Sequence, residues 1–176
     1  MGFLPNSLLT MGHKPDILRR FTALLASTLG DGCVSPALKS MVAEVASTAA
    51  GCRYCQAHGA LIMSRAGIDA EKAAALWEYE TSPRFDEAER AALDLARNAA
   101  LVPNGVTAEH FAAIRAHFSD EQIVEIVAVV ATFGFLNRWN DTMATDLEEI
   151  PLTVASDYLA DTDWAPGKHG ADSASG

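Results

Sequence analysis

Positive charge, aromatic residues and cysteines are all scarce in this 176-residue sequence. Thirteen Lys and Arg stand against 23 Asp and Glu, a formal charge of −10. A nucleic-acid binder needs a basic face to displace counterions, so this balance argues against that class. Three cysteines do not make a disulfide scaffold, and an odd number leaves at least one thiol unpaired within the chain. The longest apolar stretch, Ile123 to Leu136, is 14 residues long and broken by Glu125, too short to span a bilayer. The opening MGFLPNSLLTMGHKP has no cationic start followed by a sustained apolar run, so it does not read as a signal peptide. Neither G-x-G-x-x-G nor a P-loop occurs, and no bound cofactor is expected. These absences point to a soluble, cytoplasmic chain in a reducing compartment, with no nucleic-acid or membrane partner.

What is present is helical. Hydrophobic residues make up 49% of the chain, enough for one domain with its own core. Pro15 suits a first helical position, and Ile17, Leu18, Phe21, Leu24 and Leu25 follow at helical spacing up to Gly30. Ser35-Pro36 reads as a cap and first turn, Gly51 as a break, and Tyr54 to Ala66 as a second helix. Asp86 with Glu89 and Ser119 with Gln122 have the capping-box spacing. No stretch alternates with a period of two, so the expected class is all-α. The expected organisation is an N-terminal arm over 1–14, an all-α domain over 15–150 and an acidic, mobile tail over 151–176. Residues 142–176 hold seven acids against the single base Lys168, which leaves the body with only −4 of the −10.

Residues 41–55 (MVAEVASTAAGCRYC) and 126–140 (IVAVVATFGFLNRWN) share five identities at an offset of 85. The match suggests an internal pseudo-repeat of two helical units related by a pseudo-twofold. It aligns Cys52 with Asn137 and Cys55 with Asn140.

The chemistry concentrates in Cys52-Arg53-Tyr54-Cys55-Gln56-Ala57-His58. Thiols three residues apart in a helix lie one turn from each other, close enough to join as a disulfide. His58 is three beyond Cys55, where an imidazole can take a proton from a thiol, and the thiolate is the nucleophile. Cys55 is one turn from His58 and Cys52 two, so proximity favours Cys55 as the attacking thiol. The helix start after Gly51 argues the other way, because its free N–H groups favour an anion at the first thiol. Zinc is the competing reading of C-x-x-C. A closed site needs four ligands, and no second C-x-x-C or H-x-x-H exists, so no metal is expected. Cys33 reads as a structural or incidental loop thiol, with a distant fourth zinc ligand as the alternative. Glu44 interrupts an apolar run and returns to the face of the thiols, where a carboxylate can orient His58 or relay a proton; an edge residue facing solvent is the alternative. Tyr54 between the thiols, and Asn137, Trp139 and Asn140 at the end of the most apolar helix, are the candidate substrate-binding residues. The last three can equally form a helix end whose polar groups pair among themselves.

CRYCQAH, the apolar helix before it and the later run FGFLNRWNDTMAT resemble the alkylhydroperoxidase D-like, or carboxymuconolactone decarboxylase, superfamily over about residues 15–145. The resemblance implies an all-α fold of helical hairpins, assembly into trimers or hexamers, and a peroxiredoxin-type cysteine pair that reduces small hydroperoxides. It implies that Cys55 attacks, that Cys52 resolves the sulfenic acid to a disulfide, and that a dithiol or protein reductant restores the pair. The sequence departs from the pattern twice. The family glutamate twelve before the first cysteine is Ser40 here, and the histidine four after the second is Gly59. Glu44 and His58 each stand on a nearby turn. A carboxymuconolactone-decarboxylase-like enzyme acting on a small lactone or acid, and a non-enzymatic zinc-binding or oligomerisation domain, are the alternatives. Ile123 to Leu136 is apolar on nearly every side, as for a helix buried all round. Together with the resemblance, this leads to the expectation of a homo-oligomer.

Overall fold

Capping residues set the helix starts. The computed structural model describes residues 2–170. In it α1 (Asn6–Gly12) and α2 (Pro15–Leu29) form an N-terminal hairpin. The Ser35 hydroxyl accepts the Leu38 N–H at 3.2 Å and opens α3 (Pro36–Ala49). After a three-residue turn comes α4 (Arg53–Arg65). The short α5 (Ala70–Ala74) runs into a single 3-10 turn over Ala75–Glu78. Reciprocal capping boxes at Asp86/Glu89 and Ser119/Gln122 start α6 (Glu87–Ala100) and α8 (Asp120–Met143), with α7 (Ala108–Arg115) between them. Then come α9 (Glu149–Tyr158) and a 3-10 turn over Gly167–His169. No strand occurs among the described residues.

The central helix is α3, not α8. Every residue from Leu38 to Ser47 is buried, because α4, α6 and α8 pack around it. Val42, Val45, Leu93, Ile114, Ile126 and Val129 form the middle of this core. By length and composition α8 could cross a membrane, but it packs on α2, α3, α4 and α6. The expectation that it is buried all round does not hold. Val124 is 70% exposed and Val127 is also open, while the partly exposed Phe135 stacks on Phe21 of α2, so part of the apolar face of α8 has no covering helix among the described residues.

Toward both termini the described residues carry more structure than the sequence suggested. The expected N-terminal arm contains α1. The expected mobile tail begins inside α9, and its residues 171–176 lie outside the described residues. The reason is that the apolar residues between its acids, Leu152, Val154, Ala155 and Leu159, have a partner surface on α4. At the end of α9 the Tyr158 hydroxyl donates to Ile68 O at 2.6 Å, and the chain beyond is pinned by Trp164 Nε1 donating to Arg53 O at 3.2 Å and by the Leu147 N–H donating to His169 O at 2.8 Å. This returning segment forms a second small core with Cys52, Tyr54, Cys55, Ala57 and Ala60.

If the 147–170 segment is what shields the thiols, truncating one of its anchors exposes them. Leu147→Ala is expected to cost about 2–4 kcal/mol and to accelerate the reaction of Cys52 and Cys55 with a disulfide reagent such as Ellman's. An unchanged reaction rate in a destabilised Leu147→Ala protein would mean that another element covers the site.

Candidate functional site

The site is built on the turn between α3 and α4. Gly51 adopts φ +75°, a left-handed conformation that glycine takes without a Cβ clash. Its N–H reaches Thr48 O at 3.0 Å, and the next N–H, of Cys52, reaches Ser47 O at 3.1 Å. This pair of bonds is a Schellman closure of α3. With its backbone N–H committed there, Cys52 is the N-cap of α4, and its sulfur accepts the Cys55 N–H at 3.5 Å. Cys52 thus ends one helix and caps the next.

This position divides the thiols. A hydrogen bond from the Cys55 thiol, together with the backbone N–H groups of Cys55 and Tyr54, holds Cys52 below the ordinary thiol value against the opposing effect of burial. Burial pushes Cys55 well up, and its donation to Cys52 pushes it further. The Asn140 amide donates to the Cys55 sulfur at 3.5 Å and only partly offsets this. Both thiols are free and buried.

His58 is not the partner of Cys55 that its spacing suggested. Its Nε2 lies 2.8 Å from Glu148 Oε2, and its ring stacks on Tyr54 with centroids 4.5 Å apart. The carboxylate that orients His58 is therefore Glu148 and not Glu44. Glu148 also accepts the Tyr54 hydroxyl at 2.8 Å and the Asn6 N–H, so it joins α4 to the N-terminal arm just before α9. Burial raises its carboxyl, but the bonds from His58 and Asn6 outweigh that and leave it below its ordinary value. In the sequence Glu148 was only one acid of a local run, and nothing in its spacing marked it.

Glu44 faces the interior from α3. It is 4% exposed, its Oε1 receives only a long 3.5 Å bond from Thr48, and its Oε2 has no partner. Burial pushes its carboxyl well above the usual carboxylate range. It fits against α4 because residue 59 is glycine: a Cβ there would lie 1.8 Å from Glu44 Oε2. The carboxyl is near enough to the thiols that its charge bears on both of them.

The other candidates are scattered around this centre. The Tyr54 hydroxyl is held by Glu148 and by the Ser7 N–H at 3.3 Å. Trp139 Nε1 donates to Thr10 at 2.9 Å, which ties α8 to α1. Asn137 is buried with both amide atoms unpartnered, and Asn140 has a free Oδ1. Cys33 lies apart from the pair. Its thiol and N–H donate to Glu125 at 2.8 and 2.9 Å. Burial opposes ionisation of Glu125, but those bonds and the Lys39 ammonium bring it to about 2. Glu125 thus anchors the 30–34 loop. No cluster of three or more metal-ligating side chains occurs among the described residues.

Residues 15–98 match the carboxymuconolactone decarboxylase family. Among solved structures, the debrominase Bmp8 is similar in its apo form, at 38% identity, and as a cysteine-to-alanine variant in complex with 2,3,4-tribromopyrrole, at 37%. Both alignments cover 89% of this chain and 84% of that one, with a TM-score of 0.84. An alkylhydroperoxidase AhpD core protein, peroxidase-related, from Ralstonia eutropha JMP134 is 30% identical over 80% of this chain and 75% of its own, with a TM-score of 0.71. A peroxidase-related protein from Silicibacter sp. TM1040 shares the fold at 24% identity, covering 85% of this chain and 79% of its own with a TM-score of 0.77. No curated protein matches the sequence.

The Glu148 contacts predict a pH effect. A carboxyl held below its ordinary 4.5 stabilises the fold above that pH, and the contribution is lost as the pH falls through the lowered folded value. Glu148→Gln is expected to cost about 1–2 kcal/mol at pH 7 and to flatten the loss of stability between pH 5 and pH 3 in urea titrations. Curves for the two proteins that run parallel through the acid range would contradict the assignment.

Proposed function

The chain belongs to the carboxymuconolactone decarboxylase superfamily, in the company of its alkylhydroperoxidase-like members, and from this we propose that it is a thiol-dependent reductase in which Cys52 and Cys55 deliver two electrons to a small substrate. The observation that carries the reading is the position of Cys52, capping α4 through its sulfur with the Cys55 thiol donating to it. A thiolate held by a helix N-terminus beside a second thiol is the arrangement of a redox pair.

For a hydroperoxide the chemistry runs as follows. The Cys52 thiolate attacks one oxygen, the O–O bond breaks, and the alkoxide leaves as the alcohol after taking a proton. Cys52 is left as a sulfenic acid, and Cys55 displaces its hydroxyl as water to form the disulfide. Glu44, beside the pair with its carboxyl pushed up by burial, is the proton donor for the leaving oxygen. An external dithiol or protein reductant then restores both thiols. This order reverses the one that the resemblance implied, because the direct imidazole contact that favoured Cys55 belongs to Glu148.

A second substrate class has its own support. The similarity to the debrominase Bmp8, at 37–38% identity, fits reductive dehalogenation of a small ring. There the same pair would convert C–Br to C–H, releasing bromide and ending as the same disulfide. Both substrates use one site and one electron count. The pair's need for reduced thiols fits a cytoplasmic setting. The open apolar positions of α8 at Val124 and Val127 support a homo-oligomer, a trimer or hexamer on the family pattern.

The test counts thiols before and after one equivalent of cumene hydroperoxide, and separately measures bromide released from 2,3,4-tribromopyrrole. Loss of two thiols per chain with either substrate supports the reading, and no loss with any of them removes it. Cys52→Ser is expected to abolish consumption. Cys55→Ser should consume about one equivalent and accumulate a dimedone-reactive sulfenic acid on Cys52. The reciprocal pattern would return the attacking role to Cys55.

A further inference from the structure

Cys55 lies in the small core that α4 shares with the returning segment, among Ala57, Ala60, Leu147 and Ala155. Apolar surroundings of this kind disfavour a thiolate, yet a thiol that closes a disulfide must give up its proton. Across this core, on α8, Asn140 Nδ2 donates to Cys55 Sγ at 3.5 Å, and both residues are buried. Asn140 stands where α8 closes. Its carbonyl accepts the N–H of Ala144 and, at 3.1 Å, that of Thr145, with Ala144 left-handed at φ 46°. These bonds fix the backbone at position 140, and burial leaves the side chain no room to swing away from the sulfur. The type of group matters as much as its place. An amide does not titrate, and its nitrogen only donates. The Cys55 S–H already donates to Cys52. A carboxylate or a neutral imidazole nitrogen facing Cys55 would compete for that proton, whereas an N–H cannot.

We propose that Asn140 is a positioning residue for the resolving thiol: its amide N–H keeps the Cys55 proton directed at Cys52 in the resting pair and supports the charge that develops on the Cys55 sulfur as the disulfide closes. In that step the Cys55 sulfur bonds to the Cys52 sulfur and the S–O bond of the sulfenic acid breaks. The hydroxyl leaves with the Cys55 proton as water, so Cys55 is oxidised and the sulfenic sulfur reduced to one disulfide. A donor already aimed at the atom where charge appears needs no rearrangement at the moment of reaction. The inference rests on the proposed function in giving Cys55 the resolving role, and it gives the Asn140 amide a sulfur, not the substrate, as its partner.

The test separates the two steps with a reagent that is not a substrate. In a Cys33→Ser background Cys52 and Cys55 are the remaining thiols. One equivalent of 4,4′-dithiodipyridine releases a first thiopyridone as Cys52 attacks it, and a second as Cys55 displaces the mixed disulfide from Cys52. Asn140→Leu, close in size but without a donor, is expected to leave the first phase within about threefold and to slow the second at least about tenfold, the scale of one hydrogen bond to a charged group. Asn140→Met should give the same split. A second phase unchanged in either variant, both phases slowed by the same factor, or a slowing confined to the first phase would overturn the proposal. A measurement without substitution at position 140 stands beside these. The Asn140 side-chain N–H resonances are expected to move with pH in step with the Cys55 Cβ, and resonances that stay fixed while Cys55 ionises would also overturn it. A protein that consumes neither hydroperoxide nor bromopyrrole still gives both phases, so the reductase reading stands or falls separately.

Discussion

Cys52 takes part in two helix ends at once. Its N–H completes the closure of α3, which a left-handed Gly51 makes possible, and its sulfur caps α4. A helix N-terminus leaves N–H groups without intrahelical acceptors, and here the acceptor is a thiol rather than the usual Ser, Thr, Asp or Asn. A sulfur in that place is stabilised as an anion by the same groups that start the helix. The turn also fixes which way α4 runs from α3, and so where Cys55, Tyr54 and His58 fall around it.

From that turn the two sides of α4 acquire different tasks. On one side Tyr54 and His58 converge on Glu148, which also receives the N-terminal arm. These are structural contacts that join α1 and the stretch before α9 to α4. On the other side Glu44 occupies the space that Gly59 leaves open. The family pattern places a histidine at position 59 and a glutamate at position 40. Here the pair is a glycine and a serine, and a carboxyl one turn further along α3 fills the volume.

The helices were largely legible in the sequence because their starts depend on local chemistry. Ser35-Pro36, the Asp86/Glu89 and Ser119/Gln122 boxes and the Gly51 break act within a few residues, and each is found where its spacing put it. The closeness of Cys52 and Cys55 and the turn of Glu44 toward them were legible for the same reason, but not the role of Glu44, since Glu148 is the carboxylate that holds His58. The role of His58 was not, because its partner is 90 residues away and an imidazole three residues from a thiol is equally free to turn elsewhere. The order of the last 25 described residues was hidden by their acidity. What holds them is a minority of apolar side chains facing α4, a pattern that the sequence cannot distinguish from a solvated tail.

The claim on which the rest depends is that α4 places the thiolate on Cys52. Carbon-13 labelling of the cysteine Cβ atoms and an NMR pH titration of the reduced protein test it directly. Cys52 is expected to deprotonate first, below the roughly 8.5 of a free cysteine, with Cys55 ionising only at higher pH. Cys55 losing its proton before Cys52 would contradict the account.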